Sequence, residues 1–199
     1  MKLVLASGNP GKLREIGELL LPFHFQVVSQ SELGIAEVAE PHDTFLENAL
    51  AKARHASRAA GLPALADDSG LSVEALGGEP GVHSAYYAGR EGDREERDRR
   101  NNEKLLRNLK DDRRAYYTCV MTLVKSPEDG NPLVAEGIWR GEIARAPRGA
   151  NGFGYDPLFY IKELNRTAAE LSPEHKNRIS HRGIALRKLV TLLDENGAD

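Results

Sequence analysis

The sequence holds one cysteine, one tryptophan and two methionines in 199 residues, and only 6% of it is aromatic. A lone Cys119 cannot close an internal disulfide or build a zinc cage by itself. It lies in Tyr116-Tyr117-Thr118-Cys119-Val120-Met121, where a buried strand thiol is a better reading than a nucleophile. No apolar run approaches the roughly 20 residues that span a bilayer. The opening Lys2-Leu3-Val4-Leu5-Ala6 does not have the layout of a secretory leader. A cytoplasmic protein without a membrane partner is the expectation. An excess of positive charge is missing as well. The net charge is −3, so no nucleic-acid partner is expected, and a polyanionic ligand has to be met by a local basic cluster. What is present is ordinary globular material, 40% hydrophobic and 29% charged. Without repeats or a low-complexity linker, residues 1–199 read as one domain, or as two small lobes sharing one sheet.

The chain is organised around Pro63-Ala64-Leu65-Ala66-Asp67-Asp68-Ser69-Gly70-Leu71. A short apolar run driving into two adjacent carboxylates reads as a buried strand that ends in a Ser-Gly turn. Alternation along a strand sends neighbouring side chains to opposite faces, so Asp67 and Asp68 are expected to have different roles. The same nonapeptide also reads as a turn that its carboxylates merely cap.

Upstream, Leu3 to Ala6 predicts a strand and Lys12 to Leu21 a helix, joined by Ser7-Gly8-Asn9-Pro10-Gly11-Lys12. Strand, glycine loop and helix in that order aim amides at one spot and suit a phosphate. The Walker A spacing is absent, and an Asn-Pro-Gly turn with a solvated lysine is the alternative. Thr44-Phe45-Leu46-Glu47 is a capping box opening a helix to about Gly61, with Asn48 and Lys52 on one face. Leu71 to Leu76 predicts another strand. From Arg90 to Arg114 ten basic and eight acidic residues alternate, with Glu95–Arg99 and Glu96–Arg100 spaced for pairing on a solvated helix. Two longer strands follow, Ala115 to Lys125 and Leu133 to Arg145. In Gly152-Phe153-Gly154-Tyr155-Asp156-Pro157, glycines interleave with rings and an acid; such a loop suits a nucleobase, or anchors itself to the core. Ser172-Pro173 opens a helix, Lys176, Ser180, His181 and Arg182 form a basic cluster, and an apolar C-terminal helix fades at Asn196-Gly197.

These features complement one another. Cations come from Lys12, Lys52 and the Lys176–Arg182 cluster, hard oxygen ligands for Mg²⁺ from Glu40 and Asp68, and a base surface from Phe153 to Asp156. Together they describe an enzyme acting on a Mg²⁺-nucleotide, with a carboxylate free to activate water.

The ordered set Ser7–Lys12, Thr44-Phe45-Leu46-Glu47-Asn48-Ala49, Ala66-Asp67-Asp68-Ser69-Gly70-Leu71, Gly152-Phe153-Gly154-Tyr155-Asp156-Pro157 and Ser180-His181-Arg182-Gly183 resembles the inosine triphosphate pyrophosphatase family. The likeness runs through nearly the whole chain. It implies a two-lobed α/β fold, with helices flanking a long bent mixed sheet, an active-site cleft between the lobes, and a homodimer. It also implies Mg²⁺-dependent hydrolysis of dITP, ITP and XTP to the monophosphate and pyrophosphate. Carried onto this sequence, Ser7, Gly8, Asn9, Pro10, Gly11 and Lys12 hold the triphosphate with help from Lys52. Glu40 and Asp68 serve the metal, and Asp68 is also the proton acceptor. Ser69 contacts substrate, Phe153, Gly154, Tyr155 and Asp156 hold the base, and Lys176, His181 and Arg182 close the site. Two points depart from the pattern: His83 stands where relatives generally carry tyrosine, and Tyr86 where they carry arginine. Glu37 competes with Glu40 as the metal carboxylate. The rival readings are a general or pyrimidine-selective triphosphate pyrophosphatase, and a binding module in which Asp67 and Asp68 only shape a turn.

Overall fold

The computed structural model describes residues 2–23 and 25–195. The fading of the C-terminal helix expected at Asn196-Gly197 lies outside them. Seven strands form one sheet in the order β2-β1-β3-β4-β5-β6-β7, built from β1 (Lys2–Leu5), β2 (Gln26–Ser29), β3 (Ala64–Val73), β4 (Arg114–Val124), β5 (Leu133–Ile143), β6 (Phe159–Ile161) and β7 (Arg166–Thr167). β1 runs parallel to both β2 and β3, whereas β6 is antiparallel to β5 and β7. The sheet is therefore mixed and, with helices flanking it, has the expected α/β class. The helices are α1 (Pro10–Leu20), α2 (Phe45–Ala60), α3 (Arg94–Asn108), α4 (Pro173–Ile179) and α5 (His181–Glu195).

The chain divides into two compact units. The first comprises residues 1–68, 119–137 and 181–199, the second residues 69–118 and 138–180. In the first unit the alternation of β3 decides which helix each side chain meets. Leu65 joins Leu3, Leu5, Ile16 and Leu20 and the α5 residues Leu186 and Leu189. Ala64 and Ala66 pack instead with Ala53 and Ala56 of the small-residue stripe on α2. Asp67 thus shares the face served by α1 and α5, and Asp68 the face served by α2. Gly137 of β5 sits where the α5 backbone comes close: a Cβ there would lie 2.0 Å from the His181 carbonyl oxygen and 2.6 Å from the Ala185 nitrogen. Backbone atoms cannot rotate away, so Gly137→Ala is expected to cost about 3 kcal/mol in thermal unfolding, the upper end for an overpacked methyl. The second unit has its own core, in which Tyr117, Trp139 and Phe159 cluster with ring centroids 4.7–6.4 Å apart.

Local structure departs from the sequence expectation in five places. Asp67-Asp68-Ser69-Gly70 is not a turn: β3, an inner strand between β1 and β4, passes straight through it for ten residues, and its place in the sheet overrides the Ser-Gly preference. The strand expected over Leu71 to Leu76 is not a separate one: Leu71–Val73 is the end of β3, and Glu74–Leu76 is a single 3₁₀ turn. α1 starts at Pro10 rather than Lys12, since Pro suits the first helical position and Asn9 caps it. The basic cluster is split by Ser180, which ends α4 before His181 opens α5. On α3 the expected pairs are replaced by Arg94–Asp98 and Arg99–Glu103, while Arg100 pairs back to Glu91.

Candidate active site

The two carboxylates at the centre of β3 are divided between two sets of partners. Asp67 is only 1% exposed. Its Oδ2 receives the Lys12 ammonium at 3.1 Å, the Arg182 guanidinium at 3.1 Å through Nη2, and the Cys119 thiol at 3.8 Å. Oδ1 has no partner among the described residues. Burial pushes the Asp67 carboxyl up, but Lys12, Arg182 and Lys52 outweigh it and hold the group far below the usual carboxylate range. Arg182, also 1% exposed, donates in addition to the buried Glu15 of α1. Glu15, Arg182 and Asp67, all buried, and the half-buried Lys12 form a chain of alternating charge, with two anions and two cations. Cys119 is the structural thiol that its strand suggests; burial first, and then Asp67, push its pKa up.

Asp68 faces α2. Lys52 donates to Asp68 Oδ1 at 3.0 Å and to Glu40 Oε1 at 2.5 Å, so one ammonium joins two carboxylates. Asn48, one turn earlier on α2, donates to Asp68 Oδ2 at 3.3 Å and is itself fixed by both backbone groups of His42 at 3.0 Å. The Thr44 cap, whose hydroxyl accepts from the Glu47 amide at 3.2 Å, sets the start of the helix that carries both side chains. Burial raises the Asp68 pKa more than Lys52 and Lys12 lower it. Lys52 is raised: burial alone would lower it, but Asp68, Glu40 and Asp67 prevail. The two neighbouring carboxylates are thus shifted in opposite directions, a feature of sites that divide labour.

In the Ser7–Lys12 segment, Ser7 Oγ accepts from the Asn9 amide at 3.2 Å, and Asn9 Oδ1 caps the amides of Gly11 and Lys12 at 2.9 and 3.2 Å. Gly8 lies against the Glu37 carboxylate. Glu40 and Glu37 are therefore placed differently, the first on Lys52 and the second on the glycine loop.

In the second unit the Phe153–Asp156 loop is tightly built. Asp156, buried, accepts from the Phe153 amide at 2.9 Å and pairs with Lys176 of α4. Gly152, at φ +78°, leaves room for that carboxylate; a Cβ would lie 2.1 Å from Asp156 Oδ2. Tyr155 is buried too and donates its hydroxyl to the Ser84 carbonyl at 2.8 Å. Arg94 and Lys176 both lie over the Phe153 ring, 4.7 and 4.9 Å from its centroid. Ser69 follows Asp68 in β3 and is half-buried. Tyr86, the departure from the family pattern, is stacked by Arg90 at 4.1 Å and Arg97 at 5.6 Å.

Sequence reasoning missed Glu15, the second anion on Arg182, because its partner is 167 residues away. In the sequence Asn48 stands only as a neighbour of Lys52; the spacing of four is the signal that both reach one target, Asp68.

The sequence profile of the Ham1 family matches residues 3–192. The chain belongs to the Ham1 family. It is 59% identical over 197 residues to the dITP/XTP pyrophosphatase of Nitrosomonas europaea, covering 98% of this chain and 95% of that one. It is 59% identical over 196 residues to the dITP/XTP pyrophosphatase of Burkholderia pseudomallei, covering 98% and 94%. The structure of a HAM1 protein from Coxiella burnetii superposes with a TM-score of 0.89 at 48% identity, covering 98% of this chain and 99% of that one. The resemblance carried by the five ordered motifs is thereby borne out at the level of the family and of its α/β fold.

Proposed function

We propose that this Ham1 protein hydrolyses dITP, ITP and XTP to the nucleoside monophosphate and pyrophosphate, removing deaminated purines from the nucleotide pool. The observation that carries the reading is the unequal treatment of two adjacent carboxylates. Asp67 is spent on Lys12 and Arg182, while Asp68 meets Lys52 and Glu40. The names of the relatives from Nitrosomonas europaea and Burkholderia pseudomallei support the substrate class.

A divalent cofactor suits the donor set. Glu40 and Asp68 already converge on one cation, the Lys52 ammonium. Among the described residues no group of three or more His, Cys, Asp or Glu could hold a metal alone. Two carboxylates with a shell completed by substrate phosphates is the pattern of Mg²⁺. When bound, the ion neutralises charge on the phosphate oxygens. The remaining work falls to side chains. Asp68 orients a water and takes its proton as the water oxygen bonds to the α-phosphorus and the bond to the pyrophosphate oxygen breaks. Lys52 works against the rise that burial gives the Asp68 pKa, and the Ser7–Lys12 segment holds the triphosphate. Arg182 acts by fixing Asp67. Phe153 to Asp156, Ser69, Lys176 and His181 serve the nucleoside. A donor aimed at the 6-oxo oxygen accepts hypoxanthine and xanthine but meets the adenine amino group donor to donor, leaving polar groups unpaired. The whole chain, residues 1–199, acts as one pyrophosphatase domain, as a cytoplasmic homodimer without a nucleic-acid partner.

The test is a substrate panel with product identification. With Mg²⁺, kcat/KM for ITP is expected to exceed that for ATP by at least about a hundredfold, with pyrophosphate as the product. Equal turnover of ITP, ATP, GTP and CTP, or release of orthophosphate alone, would overturn it.

A further inference from the structure

Three side chains of α3, each four residues from the next, reach the Phe153–Gly154 segment. Arg94 lies over the Phe153 ring at 4.7 Å, Asp98 Oδ2 accepts from the Gly154 amide at 2.9 Å, and Asn102 Nδ2 donates to the Gly154 carbonyl at 2.8 Å. Residues four apart share one face of a helix, so this is one polar stripe and not three accidents. Between them Asp98 and Asn102 engage both backbone groups of Gly154, whose φ of +63° already restricts it to a left-handed turn. Burial raises the Asp98 pKa, and the Gly154 amide is the main group working against that rise. Asn102 is held in turn by donating to the Asp98 carbonyl at 2.8 Å. Elsewhere on α3, Arg99 is exposed and pairs with Glu103, also exposed.

We propose that the Arg94–Asp98–Asn102 stripe of α3 positions the Phe153–Asp156 loop and thereby sets base selectivity. The inference rests on the reading of that loop as the base-binding segment. Asp98 and Asn102 are positioning residues, since they act through the Gly154 peptide. A base gripped by a ring and a few polar groups tolerates little drift; a misplacement of about 1 Å can cost up to a hundredfold in rate. The phosphate and water chemistry of Asp68 and Lys52 does not depend on this peptide, so loosening it weakens binding and discrimination before it touches the chemical step.

The experiment compares Asp98→Ala, Asp98→Asn, Asn102→Ala and Asn102→Leu with the intact chain and with Arg99→Ala, using ITP and GTP with Mg²⁺. Asp98→Ala and both Asn102 variants are expected to raise KM for ITP about tenfold and to lower the ITP-to-GTP ratio of kcat/KM about tenfold, with kcat within about threefold. Asp98→Asn keeps an acceptor for the Gly154 amide and restores selectivity to within about twofold of the parent; Arg99→Ala leaves it unchanged. Asn102→Leu fills the same space without hydrogen bonds, so a result from it stands even where the alanine variants unfold. Selectivity within twofold of the parent in Asp98→Ala and Asn102→Leu overturns the proposal, as does a fall in kcat at constant KM and selectivity. Absence of ITP turnover in the parent protein is a different failure, that of the underlying function, and is seen before any variant is made.

Discussion

Asp68→Asn is expected to reduce ITP turnover by about a thousandfold or more while the protein unfolds at or above the parent temperature. The loss follows from the role: an amide cannot take a proton from water, and removing a positioned base costs roughly 10²–10⁴ in rate. The stability follows from the environment. Asp68 has its pKa raised, chiefly by burial, so its ionised form is disfavoured in the folded protein relative to the unfolded chain. For such a group the sign runs against the charge: near neutral pH the ionised carboxylate subtracts from stability, and deleting the charge removes that penalty. Lys52 keeps Glu40 as a partner, and the new amide can still accept from Asn48 or Lys52. Pyrophosphate release and a thermal melt on the same sample decide the matter. More than about a tenth of parent turnover would remove Asp68 from the chemical step.

Much of this arrangement is legible in the chain because it depends on short-range rules. The split between Asp67 and Asp68 follows from strand alternation alone, whichever partners each meets. The cap at Thr44 and the spacing of Asn48 and Lys52 place two groups on one helix face without tertiary information. What stays hidden depends on pairings that local pattern does not encode. The Ser69-Gly70 pair has turn chemistry, yet lies inside β3, an inner strand of the sheet between β1 and β4. Glu15 looks like one more polar residue of an amphipathic helix until Arg182 is seen against it. α3 reads as a solvated helix because its charges are mixed and closely spaced; only the positions of Phe153 and Gly154 reveal that Arg94, Asp98 and Asn102 have a target.

Asp67→Asn is expected to do the opposite of Asp68→Asn, costing about 3–5 kcal/mol of stability and sparing a larger share of turnover at temperatures where the variant is folded. Glu15, Arg182, Asp67 and Lys12 balance as two anions and two cations, and Arg182 and Asp67 are almost entirely shut away from water. Breaking one member leaves buried positive charge uncompensated, which costs far more than the pair itself contributes. In a chain of this size that amounts to a fall of about 10 °C or more in Tm. Two further measurements separate this from a generic packing defect. In the double variant Asp67→Asn/Arg182→Met the charge count is balanced again, with Glu15 and Lys12 as one anion and one cation, so the loss should be smaller than the sum of the single losses by at least about 1 kcal/mol. The pH dependence has a definite sign as well. Because the Asp67 pKa is depressed in the folded protein, its contribution is complete above the ordinary carboxylate pKa of about 4 and is lost as pH falls below it. The stability gap between parent and Asp67→Asn should therefore narrow as the medium is acidified below about pH 4. A gap that stays constant with pH, together with strictly additive single losses, would show that Asp67 is held by shape rather than by charge.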